Sequence, residues 1–257
     1  IDFAPHVLPG FLDPELSEYV ENRMADAGVM PLTNVALEGV EGAGRVEKVL
    51  TSRRAMKADA LVLAIGIRPN TAFLAGSGLE MVKGAVVTDC HMRTNLPDIY
   101  AAGDCAMVTN RQTGKAAWSP MGSTANITGR LLAQNLAGRE TAYPGVLGTG
   151  VAKLPGGVNA ARTGLTETAA RAEGYDVITA LTVAGDKAHY YPGADTFLLK
   201  LTADRASRKL LGVQALGPGA VDKVADIAVT AISLGAWLDQ LAVLDFAYGP
   251  PISTAIH

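Results

Sequence analysis

Asp98-Ile99-Tyr100-Ala101-Ala102-Gly103-Asp104-Cys105 is the stretch on which the fold turns. Ile99, Tyr100 and the two alanines form a short apolar run of the kind that fills an interior parallel strand, and Gly103 leaves the backbone open just before a carboxylate. A buried strand that runs into a small-residue turn and ends on an aspartate delivers one hydrogen-bond acceptor. That geometry suits the hydroxyls of a sugar. Strand-Gly-Asp occurs in many α/β folds, so the rest of the chain decides what this one serves.

Working outward, Thr94 to Cys105 follows the pattern TxxPDIYAAGDC, and Asp59 to Thr71 reads DALVLAIGIRPNT. Late in the chain stand Asp222-Lys223-Val224 and Ala247-Tyr248-Gly249-Pro250-Pro251. In this order the segments resemble the FAD-dependent pyridine nucleotide-disulfide oxidoreductases, and the last two resemble the coenzyme A-disulfide reductase and NADH oxidase members. The resemblance covers essentially all 257 residues. It implies that Gly103 and Asp104 hold the ribityl chain of FAD, and that the segment containing Gly66 and Ile67 closes a domain for NAD(P)H. It also implies that a helix beginning after Ser119-Pro120 points its N-terminus at the flavin's pyrimidine edge, with Met121, Gly122, Ser123 and Thr124 making backbone contacts. Read without the resemblance, those residues fit a well-capped surface helix with Ile127 and Leu131 facing the core.

No GxGxxG occurs; Gly76-Ser77-Gly78 and Gly148-Thr149-Gly150 come nearest and lack the third glycine. Both dinucleotide fingerprints and the family's redox cysteine are therefore expected upstream of Ile1. The resulting expectation is a fragment, inactive alone and incomplete at both ends.

Composition fits a soluble α/β protein: 49% hydrophobic residues, 18% charged and a net charge of -3. With no basic surplus, nucleic acid is excluded as a partner; with no long apolar span or signal-like start, no membrane is expected, and a cytoplasmic location fits best. Cys90 and Cys105 are too few and too badly spaced for a metal knuckle or redox pair, and read as small buried or half-buried thiols.

Three blocks follow. Residues 1–70 read as the C-terminal half of an NAD(P)-binding domain: Asp13 caps and Pro14 starts a helix with Leu16, Val20, Met24 and Ala27 on one face, ended by Gly28. Val35 to Val40 and Val46 to Leu50 flank a Gly42-Ala43-Gly44 turn, and Ala60 to Ile65 is expected as a buried parallel strand. Residues 71–147 read as the C-terminal part of an FAD-binding domain. Residues 148–257 change to an α+β dimerisation domain, with strands over 179–183, 197–202 and 210–216 and helices over 220–234 and 238–244. The fold class is α/β, with partial doubly wound nucleotide-binding domains before an α+β interface domain.

The resemblance implies a homodimer whose C-terminal segments approach the partner's flavin. It places Tyr248, and Tyr190 or Tyr191 in HYYPG, near the thiol chemistry, where a phenol donates to a developing thiolate or peroxide oxygen. Of two consecutive strand tyrosines, one must face away. His189 is a candidate acid or base; Arg68 and Arg93 read as turn and surface cations, and Asp13, Asp26 and Asp59 as caps or solvated carboxylates. Two functions stay open: part of an NAD(P)H- and FAD-dependent reductase of a disulfide, peroxide or oxygen, or a non-catalytic dimerisation or binding module with an incomplete nucleotide fold.

Overall fold

In the computed structural model, which describes residues 1–253, the first regular element is α1 (Pro14–Asp26). Proline suits the first helical position because its missing N–H has no intrahelical partner there, and Gly28 ends the helix region at φ +81°. An antiparallel meander follows: β1 (Leu37–Glu41), β2 (Lys48–Thr51) and β3 (Ala55–Lys57). The expected hairpin is present, and β3 extends it. Ala60 to Ile65, expected as a buried parallel strand, forms none; Val62 is 87% exposed and Ile65 84%. A run that is apolar on both faces becomes a strand only between neighbours, and among the described residues no strand pairs with it.

Residues 65–148 form a compact unit of their own. A 3-10 turn over Ala72–Leu74 precedes β4 (Met81–Val82), β5 (Ala85–Val87), β6 (Ala106–Thr109) and β7 (Ala116–Trp118), which form one sheet in that order. Only β5 and β6 pair in parallel, Val86 against Ala106. The strand expected at Ile99 to Ala102 therefore lies after the Gly-Asp turn and not before it. Ile99 is 42% exposed, and its stretch closes a loop, with Thr94 N–H donating to the Ile99 carbonyl and Ala101 N–H to that of Met92. Helix α2 (Gly122–Leu136) completes the unit. It buries Thr124 and Thr128, whereas Ile127, expected in the core, is 37% exposed.

The second unit joins residues 1–64 to those from 149 onward. Its frame is β8 (Gly150–Leu154), β9 (Val158–Gly164), α3 (Glu167–Ala172), β10 (Val177–Gly185), β11 (Thr196–Asp204), β12 (Leu210–Gly217), α4 (Val221–Ser233) and α5 (Leu238–Leu241). The five strands make an antiparallel sheet in the order β10-β11-β12-β9-β8. The three expected strands are present and longer; β8 and β9, whose Lys153, Asn159 and Arg162 break the apolar pattern, were not expected. Helix α5 is shorter than expected.

Alternation along the strands gives this sheet two covered faces. Ala161, Phe197, Val213 and Ala215 meet Val221, Val224, Ala225 and Ala228 of α4. Their neighbours Ala160, Leu198 and Leu216 meet Leu12, Leu16 and Val20 at α1. Every residue of β12 is buried. Leucines as enclosed as Leu16 and Leu216 contribute about 2 kcal/mol each.

Candidate functional site

In the unit of residues 65–148, Gly103 turns the chain at φ +82° and seats it against α2: its N–H lies 3.4 Å from Thr128 Oγ1, and an added Cβ would meet that of Ala125 at 3.8 Å. Asp104 follows with an exposed side chain, while its carbonyl accepts from Trp118 Nε1 at 2.8 Å. Met121 takes the extended N-cap conformation of α2 without a side-chain capping bond, and no acidic residue stands in the first turn. The amides at the start of a helix have no intrahelical acceptor and carry partial positive charge. The turn of Gly103 and Asp104 thus packs against the second turn of α2 through Ala125 and Thr128, and Met121, Gly122, Ser123 and Thr124 form the start of that same helix. Gly66, at φ +103°, and Ile67, 66% exposed, follow directly on the strandless run of Ala60 to Ile65.

The tyrosines lie in the other unit. Tyr190 and Tyr191 stand in a turn after β10 and not on a strand, and a turn lets both rings lie together, with centroids 5.2 Å apart. His189 meets Tyr190 edge-on at 5.5 Å. Ala188 N–H donates to the Pro250 carbonyl at 3.2 Å, so this turn adjoins the segment carrying Tyr248. Lys223 Nζ donates to the Ala247 carbonyl. A pocket of about 220 Å³ lies alongside, lined in part by Lys187, Lys223, Gly219 and Ser253. Tyr190 and Tyr248 are 66% and 52% exposed. At the sheet's edge β10 exposes Leu181 and Val183.

A third group was missed by the sequence reading. Lys200, Gln214 and Arg162 lie in register across β11, β12 and β9, on the face that α1 covers. Asp13, read as the cap of α1, makes no side-chain bond to that helix. Its carboxylate instead accepts from the backbone N–H groups of Glu167 and Thr168 at the start of α3, from Thr168 Oγ1 and from Gln214 Nε2. The reason is position: α3 begins above the sheet where Asp13 is buried. Lys200 Nζ lies 3.0 Å from Asp13 Oδ2 and 2.8 Å from Glu167 Oε2, and also bonds Glu15 Oε1. Burial pushes the Asp13 carboxyl up, but hydrogen bonds from Gln214, Lys200 and Thr168 outweigh it and hold it down at about 2. Burial likewise opposes the charge of Lys200, and its bonds to Glu15, Glu167 and Asp13 more than offset this, so its pKa is raised. The carboxylates of Asp13, Glu15 and Glu167 lie close enough together for a metal ion, and the ammonium already bonds all three. The signal was a lysine and a glutamine at inward positions of FLLKL and LLGVQAL.

Cys90, expected buried or half-buried, is exposed, with Sγ 3.4 Å from His91 Nδ1; Cys105 is half-buried. Arg93 is a surface cation as read, paired with Glu140 at 3.0 Å. Among the described residues no helix is long and apolar enough to cross a membrane.

Comparison with known proteins brings these regions under one heading. The model of the pyridine nucleotide-disulphide oxidoreductases matches residues 1–121, and that of the same family's dimerisation domain matches residues 156–257. A CoA-dependent NAD(P)H sulfur oxidoreductase of Pyrococcus furiosus is 38% identical over 97% of this chain and 56% of its own length. An NADH oxidase of Methanocaldococcus jannaschii is 32% identical over 98% and 56%. A solved NAD-dependent persulfide reductase from A. fulgidus superposes with a TM-score of 0.91 at 37% identity, over 98% of this chain and 47% of that one. The chain spans about half the length of these relatives. The chain belongs to the pyridine nucleotide-disulphide oxidoreductase family and carries its dimerisation domain.

Proposed function

We propose that the chain is part of a flavoprotein that passes electrons from NADH or NADPH through FAD to a small-molecule acceptor: a disulfide such as coenzyme A disulfide, a peroxide or oxygen. The observation that carries this reading is the pairing, within residues 65–148, of an exposed aspartate on a left-handed glycine turn with a helix whose N-cap residue makes no side-chain capping bond. Those groups fit two parts of a flavin, its sugar-alcohol chain and its electron-accepting ring edge. FAD, when bound, supplies a two-electron store between the nicotinamide and the acceptor. Asp104 accepts from the hydroxyls, Gly103 allows their approach, and the backbone at Met121 to Thr124 holds negative charge without reorganising. Gly66 and Ile67 contribute to the NAD(P)H side.

In this reading residues 1–70 complete the NAD(P)H domain, residues 71–147 the FAD domain, and residues 148–257 pair two copies in a homodimer. The exposed Leu181 and Val183, and the name of the matching domain, support that pairing. The adjoining turns with Tyr190, Tyr191 and Tyr248 then supply phenol donors to a thiolate or peroxide oxygen of the acceptor. The location is cytoplasmic, and the 257-residue chain, which has neither GxGxxG, does not turn over alone.

The test is a titration of the chain with FAD, followed by flavin fluorescence. Weak, saturable quenching that Asp104→Ala removes supports the reading. Quenching that is absent, or indifferent to Asp104→Ala, shifts the assignment to a dimerisation or binding module.

A further inference from the structure

We infer that the row Lys200–Gln214–Arg162 is a clasp that fixes the start of α1 on the dimerisation sheet, with Lys200 as its positioning residue. Each member of the row holds the segment before α1 or its first turn. Arg162 donates to the Gly10 carbonyl and lies 5.7 Å from the centre of the Phe11 ring. Gln214 grips Asp13 twice, accepting from its backbone N–H at 2.6 Å and donating to its carboxylate at 2.6 Å. Lys200 binds Asp13 and Glu15 from below and Glu167 of α3 from the side.

Asp13 and Glu15 belong to the part of the chain matched by the oxidoreductase model, and the three row residues to the part matched by the dimerisation domain. The clasp therefore joins two modules. Apolar contact alone leaves α1 free to slide, because Leu12, Leu16 and Val20 meet a smooth face of Val158, Ala160, Leu198 and Leu216. Directional bonds to three successive strands set one position. The inference is independent of the redox reading, since neither flavin nor nicotinamide enters it.

The test is hydrogen exchange in the chain and in Lys200→Met, which keeps the apolar stem. At neutral pH the amides of Ser17 to Asp26 are expected to exchange about tenfold or more faster, while those of β12 and α4 keep their protection. A positioning charge also predicts a pH signature. The groups facing Asp13 are Glu15 on α1, Glu167 with its partner Arg171 on α3, Arg162 on β9 and Lys200 on β11. Without the ammonium the Asp13 carboxylate loses one of the bonds that hold it charged, so protonation relieves it more readily and the gap between variant and parent narrows as the pH falls into the ordinary carboxylate range. Unchanged α1 exchange, an equal rise in α1, β12 and α4, or a gap constant with pH overturns the inference. Should Lys200→Met fail to fold, Glu15→Gln decides at an exposed position: faster exchange confined to α1 supports the clasp, and none overturns it.

Discussion

Asp13 directly precedes helix α1 and Asp104 lies on a turn packed against helix α2, and their surroundings differ completely. Asp13 is 1% exposed and collects two backbone N–H groups, a hydroxyl, an amide and an ammonium, all from this chain. Asp104 is exposed, beside a helix whose N-cap residue makes no side-chain capping bond. A carboxylate whose partners are all internal holds a fold together. One left open beside unpaired donors is available to something from outside.

Truncating the two aspartates should break this contrast most sharply. Asp13→Ala leaves Lys200 with Glu15 and Glu167 only and takes the acceptor from the Gln214 amide and the first N–H groups of α3, and is expected to cost about 3 kcal/mol in urea unfolding. Asp104→Ala should leave the unfolding midpoint where it was; an equal loss at both would end the comparison. The glycines give the next largest difference. Gly164 and Gly103 both have positive φ, but a Cβ at Gly164 would strike the Leu211 carbonyl oxygen, whereas one at Gly103 meets only Ala125 at 3.8 Å. Gly164→Ala is expected to cost about 3 kcal/mol, strain and collision together, and Gly103→Ala about 1 kcal/mol from strain alone.

Acid gives a smaller effect with a definite sign. The Asp13 carboxyl titrates at about 2 in the folded chain against 3.8 in its ordinary state. Its contribution is thus present above about pH 4 and is lost as the pH falls towards 2, amounting to about 2 kcal/mol. Thermal unfolding across that range should show the decline, and Asp13→Asn should flatten it. The caps come last. Thr166 Oγ1 accepts from Ala169 N–H at the start of α3, so Thr166→Ala should lose about 1 kcal/mol, while Met121→Ser, which supplies α2 with the cap it lacks, should gain a similar amount.

What could be read from sequence follows the range of the forces involved. Strands β10 to β12 are short runs of apolar and β-branched residues, and α4 repeats Val221, Val224, Ala228 and Ala231 on one face; both patterns are local and both elements form where expected. Leu61 to Ile65 has equally strong strand composition and forms none, because a strand apolar on both faces needs neighbours and its own residues cannot supply them. The Gly-Asp turn was legible, but the parallel pairing lies just beyond it, at Ala106 and Met107. The role of Asp13 was not legible at all. Its partners Thr168 and Gln214 are 155 and 201 residues away, and its neighbours offered only a cap for α1 or a solvated carboxylate.

Helix α1 is held at its far end as well. Arg23 donates to the Gly156 carbonyl at 3.0 Å and pairs with Asp195 at 2.9 Å, and a side chain at Gly156 would run into the Arg23 backbone. With both ends fixed to one sheet, the 13 residues between act as a gauge about 20 Å long. Adding or deleting one residue turns everything beyond it by about 100° and shifts it by about 1.5 Å, so one anchorage or the other must let go. Substitutions on the outer surface of α1 leave that measure intact. Its length is therefore more tightly constrained than its exposed residues.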